Sequence, residues 1–107
     1  MNGPAPLTPL AERLSALAHP ARLEILRSLA EFDCCCCKDV VGRLDLAQST
    51  VSQHLKVLVD AGLVRFTPNG ARSLYRLDRA ALAGLSASVT ELVANCCASP
   101  PGASGNE

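Results

Sequence analysis

The sequence has no tryptophan, one methionine and three aromatic residues, Phe32, Phe66 and Tyr75, in 107 positions. Its core must therefore be built from Leu, Val, Ile and Ala, and at this length one domain with a thin core is expected. Oligomerisation is a natural source of further burial for such a chain. No apolar run approaches the ~20 residues of a membrane span. The opening MNGPAPLTPL lacks the basic and apolar regions of a secretory signal. The expectation is a cytoplasmic protein with no membrane partner, in a compartment where thiols stay reduced.

A net charge is missing too, since Lys and Arg number 10 against 10 for Asp and Glu. The distribution is uneven, however. Arg43, Lys56, Arg65, Arg72, Arg76 and Arg79 face only Asp45, Asp60 and Asp78 between positions 43 and 79. That half is basic, and the flanks carry the compensating acids.

The chain is not short of cysteine. Four lie side by side in DCCCCK (Cys34, Cys35, Cys36 and Cys37) and two more are Cys96 and Cys97. Adjacent cysteines close only strained rings, and a reducing compartment disfavours disulfides, so metal binding or redox reactivity comes first. The bland reading is that a buried free cysteine behaves as a small hydrophobe. An enzyme is excluded on context. Cys34-x-x-Cys37 has dithiol-oxidoreductase spacing, but that motif needs a βαβ setting, and helices flank this one. No nucleophile–base pair or phosphate loop occurs elsewhere.

Positions 1–7 and 98–107 read as disordered ends around a domain over 8–97, being rich in Pro, Gly and Ser. A first helix starts near Thr8, with Leu10, Leu14 and Leu17 on one face, and stops at His19, before a proline. Pro20 then opens a second helix that buries Leu23, Leu26 and Leu29 or their neighbours. A short third helix covers roughly Cys37–Leu44. A fourth follows DLAQ, with Val51, Leu55 and Leu58 inward and Gly62 as its left-handed cap. LVRFT and RSLYRL flank PNGA, where Asn69-Gly70 signals a hairpin turn. Asp78 caps a last helix whose stripe is Leu82, Leu85, Val89 and Leu92. Four helices, two strands and a helix make a mainly α fold with a small β-hairpin, the winged helix-turn-helix pattern.

The fourth helix turns Gln48, Ser49, Thr50, Gln53, His54 and Lys56 away from its apolar stripe. Hydroxyl, amide and cationic side chains of this kind read base edges and phosphates, although a merely solvated face has the same pattern. The adjoining hairpin tip, with Asn69, Gly70 and Arg72, suits a minor-groove or backbone contact. Together the two favour double-stranded DNA as partner.

ALAHPARLEILRSL, STVSQHLKVLVDAGLV and NGARSLYRL closely resemble the arsenical-repressor (ArsR/SmtB) family of metal-sensing transcriptional repressors, over about Leu10 to Val93. The resemblance implies a homodimer through the first and last helices that binds a palindromic operator until an inducer releases it. It maps Gln48, Ser49, Thr50, Ser52, Gln53, His54 and Lys56 onto the recognition helix and Arg72 onto the wing. Zinc sensors of the family use His and carboxylates along the last helix, and no histidine follows His54 here. Arsenic sensors carry Cys-x-Cys-Asp-Leu-Cys opening the third helix. Cys36 takes the first of those positions, but Lys38 and Val41 occupy the other two. Asn95-Cys96-Cys97 resembles the Asn-Cys-Cys run of other members. The implied ligands are therefore Cys96 and Cys97 with one or two of Cys34–Cys37, in the same or the partner chain. An all-sulfur set suits As(III) or Sb(III) as inducer, or tetrahedral Zn(II) or Cd(II) with four sulfurs, and a soft-metal (Cd, Pb or Zn) sensing repressor is one alternative. A thiol-based redox or persulfide-sensing repressor is the other.

Overall fold

The computed structural model describes residues 6–32, 35–70 and 72–98. Most of the two ends expected to fray, and Cys34 of the cysteine run, lie outside them. The elements are α1 (Leu7–Leu17), α2 (Pro20–Glu31), β1 (Cys35–Cys36), α3 (Cys37–Arg43), α4 (Gln48–Asp60), β2 (Val64–Asn69), β3 (Arg72–Leu77) and α5 (Arg79–Cys97). The expected helices and hairpin are all present, and one strand is added. β1 pairs antiparallel with the free edge of β3, Cys35 opposite Tyr75 and Cys36 opposite Leu74, so the sheet has three strands in the order β1-β3-β2. A run of identical residues has no alternation, so no pattern in the sequence could announce this strand.

Local chemistry fixes the ends of the elements. His19 is extended, as a residue before proline must be, and its Nδ1 accepts from the Ala21 N–H at 3.1 Å to cap α2. α1 consequently ends at Leu17, with Ala18 N–H turned onto the Ser15 carbonyl. α4 ends in a Schellman arrangement: Leu63 N–H reaches the Leu58 carbonyl, and Gly62 N–H reaches that of Val59. Gly62 is there at φ +80°, and Arg13 Nε from α1 binds the Ala61 carbonyl beside it at 3.3 Å. Asp78 caps α5 through Oδ1, which accepts from Ala81 N–H at 2.9 Å. Asn69 pairs with Arg72 at the end of the ladder, so the chain reverses between them, with Gly70 at φ +60°.

Ile25 and Leu29 of α2, Val40 of α3 and Val51, Leu55 and Leu58 of α4 are wholly buried, together with Leu63. Leu10, Ala16, Val64 and Leu85 complete this core. The inward face of α2 is Ile25, Ser28 and Leu29, so Leu23, expected inside, is 51% exposed. Leu14 and Phe66 are likewise outside. α5 behaves differently from the other helices. Of its expected stripe only Leu85 is fully buried, while Leu92 and Val93 lie open. With 19 residues and a mean hydropathy of 1.3 it also has the length and composition of a bilayer span. No uninterrupted apolar run announces this, because Ser, Thr and Gly are scattered through the helix.

Gly62→Ala should lower stability by about 1 kcal/mol or more, because only glycine adopts φ +80° without strain. A Cβ there would meet Arg13 Nη2 at 3.4 Å, an ordinary contact, so backbone conformation sets the cost. Gly42→Ala, where nothing lies within 4 Å, should move the melting temperature the other way. Equal midpoints for the two variants would contradict a glycine-dependent terminus for α4.

Candidate functional site

The polar half of α4 is presented as its apolar half demands. Val51, Leu55 and Leu58 face the core, which leaves Gln48, Ser49, Ser52, Gln53 and Lys56 exposed or half-exposed and Thr50 half-buried. Ala47 supplies no side-chain cap, so the first-turn N–H groups of α4 remain open to an anionic partner. Lys56 pairs with Asp60 at 3.1 Å, but both are largely exposed, and such a pair is worth little and yields readily to a phosphate.

His54 is placed differently from its neighbours. It is half-buried against α2, where its Nδ1 accepts from Arg22 Nε at 3.2 Å. The His19 ring lies 4.5 Å away, centroid to centroid. Arg22 Nη1 also donates to the carbonyls of Ser15 and Ala16, at the end of α1. Burial, with help from His19 and Arg22, lowers the His54 pKa and favours the neutral ring that this bond requires. Nothing in the sequence pattern pointed to Arg22, which sits on an otherwise ordinary amphipathic helix.

Beside the start of α4 is a cleft of about 610 Å³. Cys36, Cys37 and Lys38 form one wall, Gln48 and Ser52 a second, and Arg72 with Tyr75 the third. Two of the thiols and three of the expected DNA-contacting residues therefore share one depression. Cys36 is buried and Cys37 half-buried. Burial, with Cys36 alongside, pushes the Cys37 thiol up. Asp39 accepts from the Cys36 N–H through Oδ2 at 3.1 Å, bridging back over the start of α3. That bond is the main reason its carboxyl is held below the usual range.

Arg72 opens β3, two residues before the partner of Cys36 in the register. Its Nη2 donates to Cys36 Sγ at 2.9 Å and stands 3.9 Å from Asp39 Oδ2. The residue assigned to the wing from sequence is thus tied to the residue assigned to the thiol site, across a strand pairing the sequence did not reveal. Cys96 and Cys97 are exposed at the far end of α5. Among the described residues of one chain, no three His, Cys, Asp or Glu side chains gather as a metal shell.

Residues 19–65, from the start of α2 into β2, match the model of the bacterial regulatory protein, arsR family. The arsenical resistance operon repressor of Staphylococcus xylosus is 39% identical over 69 residues, 64% of this chain and 65% of that protein. The transcriptional repressor SmtB of Mycobacterium tuberculosis is 44% identical over 66 residues, 62% of this chain and 48% of that one. The chain thus spans about half to two thirds of these curated relatives. A homodimeric winged helix-turn-helix DNA-binding domain from Mycobacterium bovis, a possible ArsR-family regulator, superposes with a TM-score of 0.68 at 30% identity, over 83% of this chain and 81% of that one. The three-strand sheet, the polar α4 and these likenesses lead to one assignment. The chain belongs to the ArsR family of transcriptional regulators, a family of DNA-binding proteins rather than enzymes.

Proposed function

We propose that the protein is a cytoplasmic, homodimeric repressor that leaves its operator when trivalent arsenic or antimony is captured by its cysteine thiolates. The observation that carries this reading is the shared cleft, with Cys36 and Cys37 facing Gln48, Ser52 and Arg72. A metalloid bound at that wall would sit beside the groups that contact DNA. The name of the Staphylococcus xylosus relative supports the arsenical branch of the family.

The proposed dimer forms through α1 and α5. Leu92 and Val93 on α5 and Leu7 and Leu14 on α1 are exposed in the single chain, and a second copy would cover them. Two-fold symmetry then places the α4 helices in successive major grooves, ~34 Å apart, and implies a palindromic operator. Cys96 and Cys97, with one or two of Cys34–Cys37, supply the sulfur shell. Because the described thiols do not converge within one chain, the shell is shared between subunits or completed by Cys34 or Cys35. The donors are soft sulfur without a histidine or carboxylate cluster, which suits a thiophilic trivalent ion. Release requires the ion to bind the DNA-free arrangement more tightly than the DNA-competent one.

The test is fluorescence anisotropy on a duplex selected by the protein from a random library, with arsenite, antimonite, methylarsenite, Cd(II), Zn(II) and an oxidant added in turn. Arsenite and antimonite should weaken binding by about 5- to 150-fold, and Cys96→Ser with Cys97→Ser should abolish most of that response. Release by oxidant or Cd(II) alone, with arsenite inert, would put that agent in the metalloid's place as inducer. A double serine variant that responds normally would remove the C-terminal pair from the site.

A further inference from the structure

We propose that Cys36 is a positioning residue for the wing: its sulfur holds the Arg72 guanidinium in the orientation that meets DNA, and capture of that sulfur frees the arginine. This rests on the reading of Arg72 as a DNA contact and Cys36 as a thiol of the inducer site.

The Arg72 Nη2–Cys36 Sγ contact is 2.9 Å, and Cys36 is 4% exposed while the Arg72 side chain is 63% exposed. The anchored end of the contact is thus the sulfur, and the solvent-facing end is the cation. A long arginine side chain loses much rotamer entropy when it is fixed on a phosphate or groove edge. Anchoring it beforehand lowers that loss at the moment of binding. Asp39 Oδ2, 3.9 Å from the guanidinium and itself fixed on the Cys36 N–H, adds a second, electrostatic restraint on the same side. β1 makes the contact geometrically stable, because Cys36 faces Leu74 across the strand pair, two residues from Arg72.

A sulfur that donates a lone pair to a metalloid, or that carries an alkyl group, is a poorer acceptor for the Arg72 N–H. The cation then leaves β1 without any movement of α4. The wing would thereby report sulfur occupancy independently of any change in dimer geometry.

The test is a double-mutant cycle in DNA affinity, measured on the arsenite-free, reduced protein with the duplex selected by the wild type. Arg72→Ala is expected to weaken binding roughly tenfold and to lower the salt slope by about one. Cys36→Ala should weaken binding by a similar factor, and the double variant should be no weaker than Arg72→Ala alone. Cys36→Ser, whose hydroxyl can accept from Arg72, should recover part of the loss. If Arg72→Ala binds like wild type, Arg72 is not a DNA contact, and the wing reading and the relay both fall. If Arg72→Ala is weakened but Cys36→Ala is not, or if the two losses multiply, the relay alone is overturned. Should Cys36→Ala not fold, wild-type protein gives the same decision by NMR. The Arg72 guanidinium resonances should shift and broaden when one equivalent of sodium arsenite is added. Resonances unmoved at saturation would overturn the proposal.

Discussion

Replacing Gln48, Ser52 and Gln53 together by alanine is expected to weaken specific DNA binding by about a hundredfold or more, at ~1–3 kcal/mol for each base-edge hydrogen-bonding group removed. The three side chains lie on the polar side of α4, and none belongs to the core that Val51, Leu55 and Leu58 make on the other. Thermal unfolding should therefore stay close to that of the wild type. Binding to random duplex should fall far less, because phosphate contacts dominate it and the cations remain. A triple variant that retained its preference for the selected duplex would show that another surface reads the sequence. Lys56→Ala offers the complementary measurement. It should weaken specific and random duplex about equally and flatten the salt dependence.

Leu55→Ala should cost about 2–5 kcal/mol, which is a large part of what a domain of this size has to lose. Leu55 is wholly buried in the cluster that joins α2, α3 and α4 with Leu63. The neighbours fixed in the same cluster, Ile25, Leu29, Val51 and Leu58, are themselves wholly buried, so the space left by the truncation fills only in part. The check is urea unfolding monitored by circular dichroism, with the midpoint shifted strongly downward and DNA binding abolished at physiological temperature. The variant should regain part of its stability at higher protein concentration if the exposed faces of α1 and α5 are covered by a second copy, since association stabilises the folded state. A midpoint within a few tenths molar of the wild type would mean that the core is less consolidated around α4 than its burial implies.

What could be read from the residues followed their physics. Helix spacing, Pro20, Gly62 and Asp78 carry local signals strong enough to place α2, the end of α4 and the start of α5, and the polar side of α4 follows once its apolar side is known. The parts that escaped depend on contacts distant in sequence. β1 exists because β3 has an edge to pair with. Leu23 is outside because α2 meets α4 through Ile25 and Leu29. His54 looks like every other polar residue of the recognition segment, and only the packing of α2 reveals that Arg22 holds it. The tie between Arg72 and Cys36 is of the same kind, joining residues 36 positions apart.

The grip of Arg22 has a further consequence. One guanidinium joins the last carbonyls of α1 to the imidazole of α4, and a second arginine, Arg13, joins α1 to the far end of the same helix. α4 is therefore pinned to α1 at two points, like a blade bolted twice to one handle. In the proposed dimer the handles are what meet. A small change in the angle between them would be carried to the two blades through these two bolts.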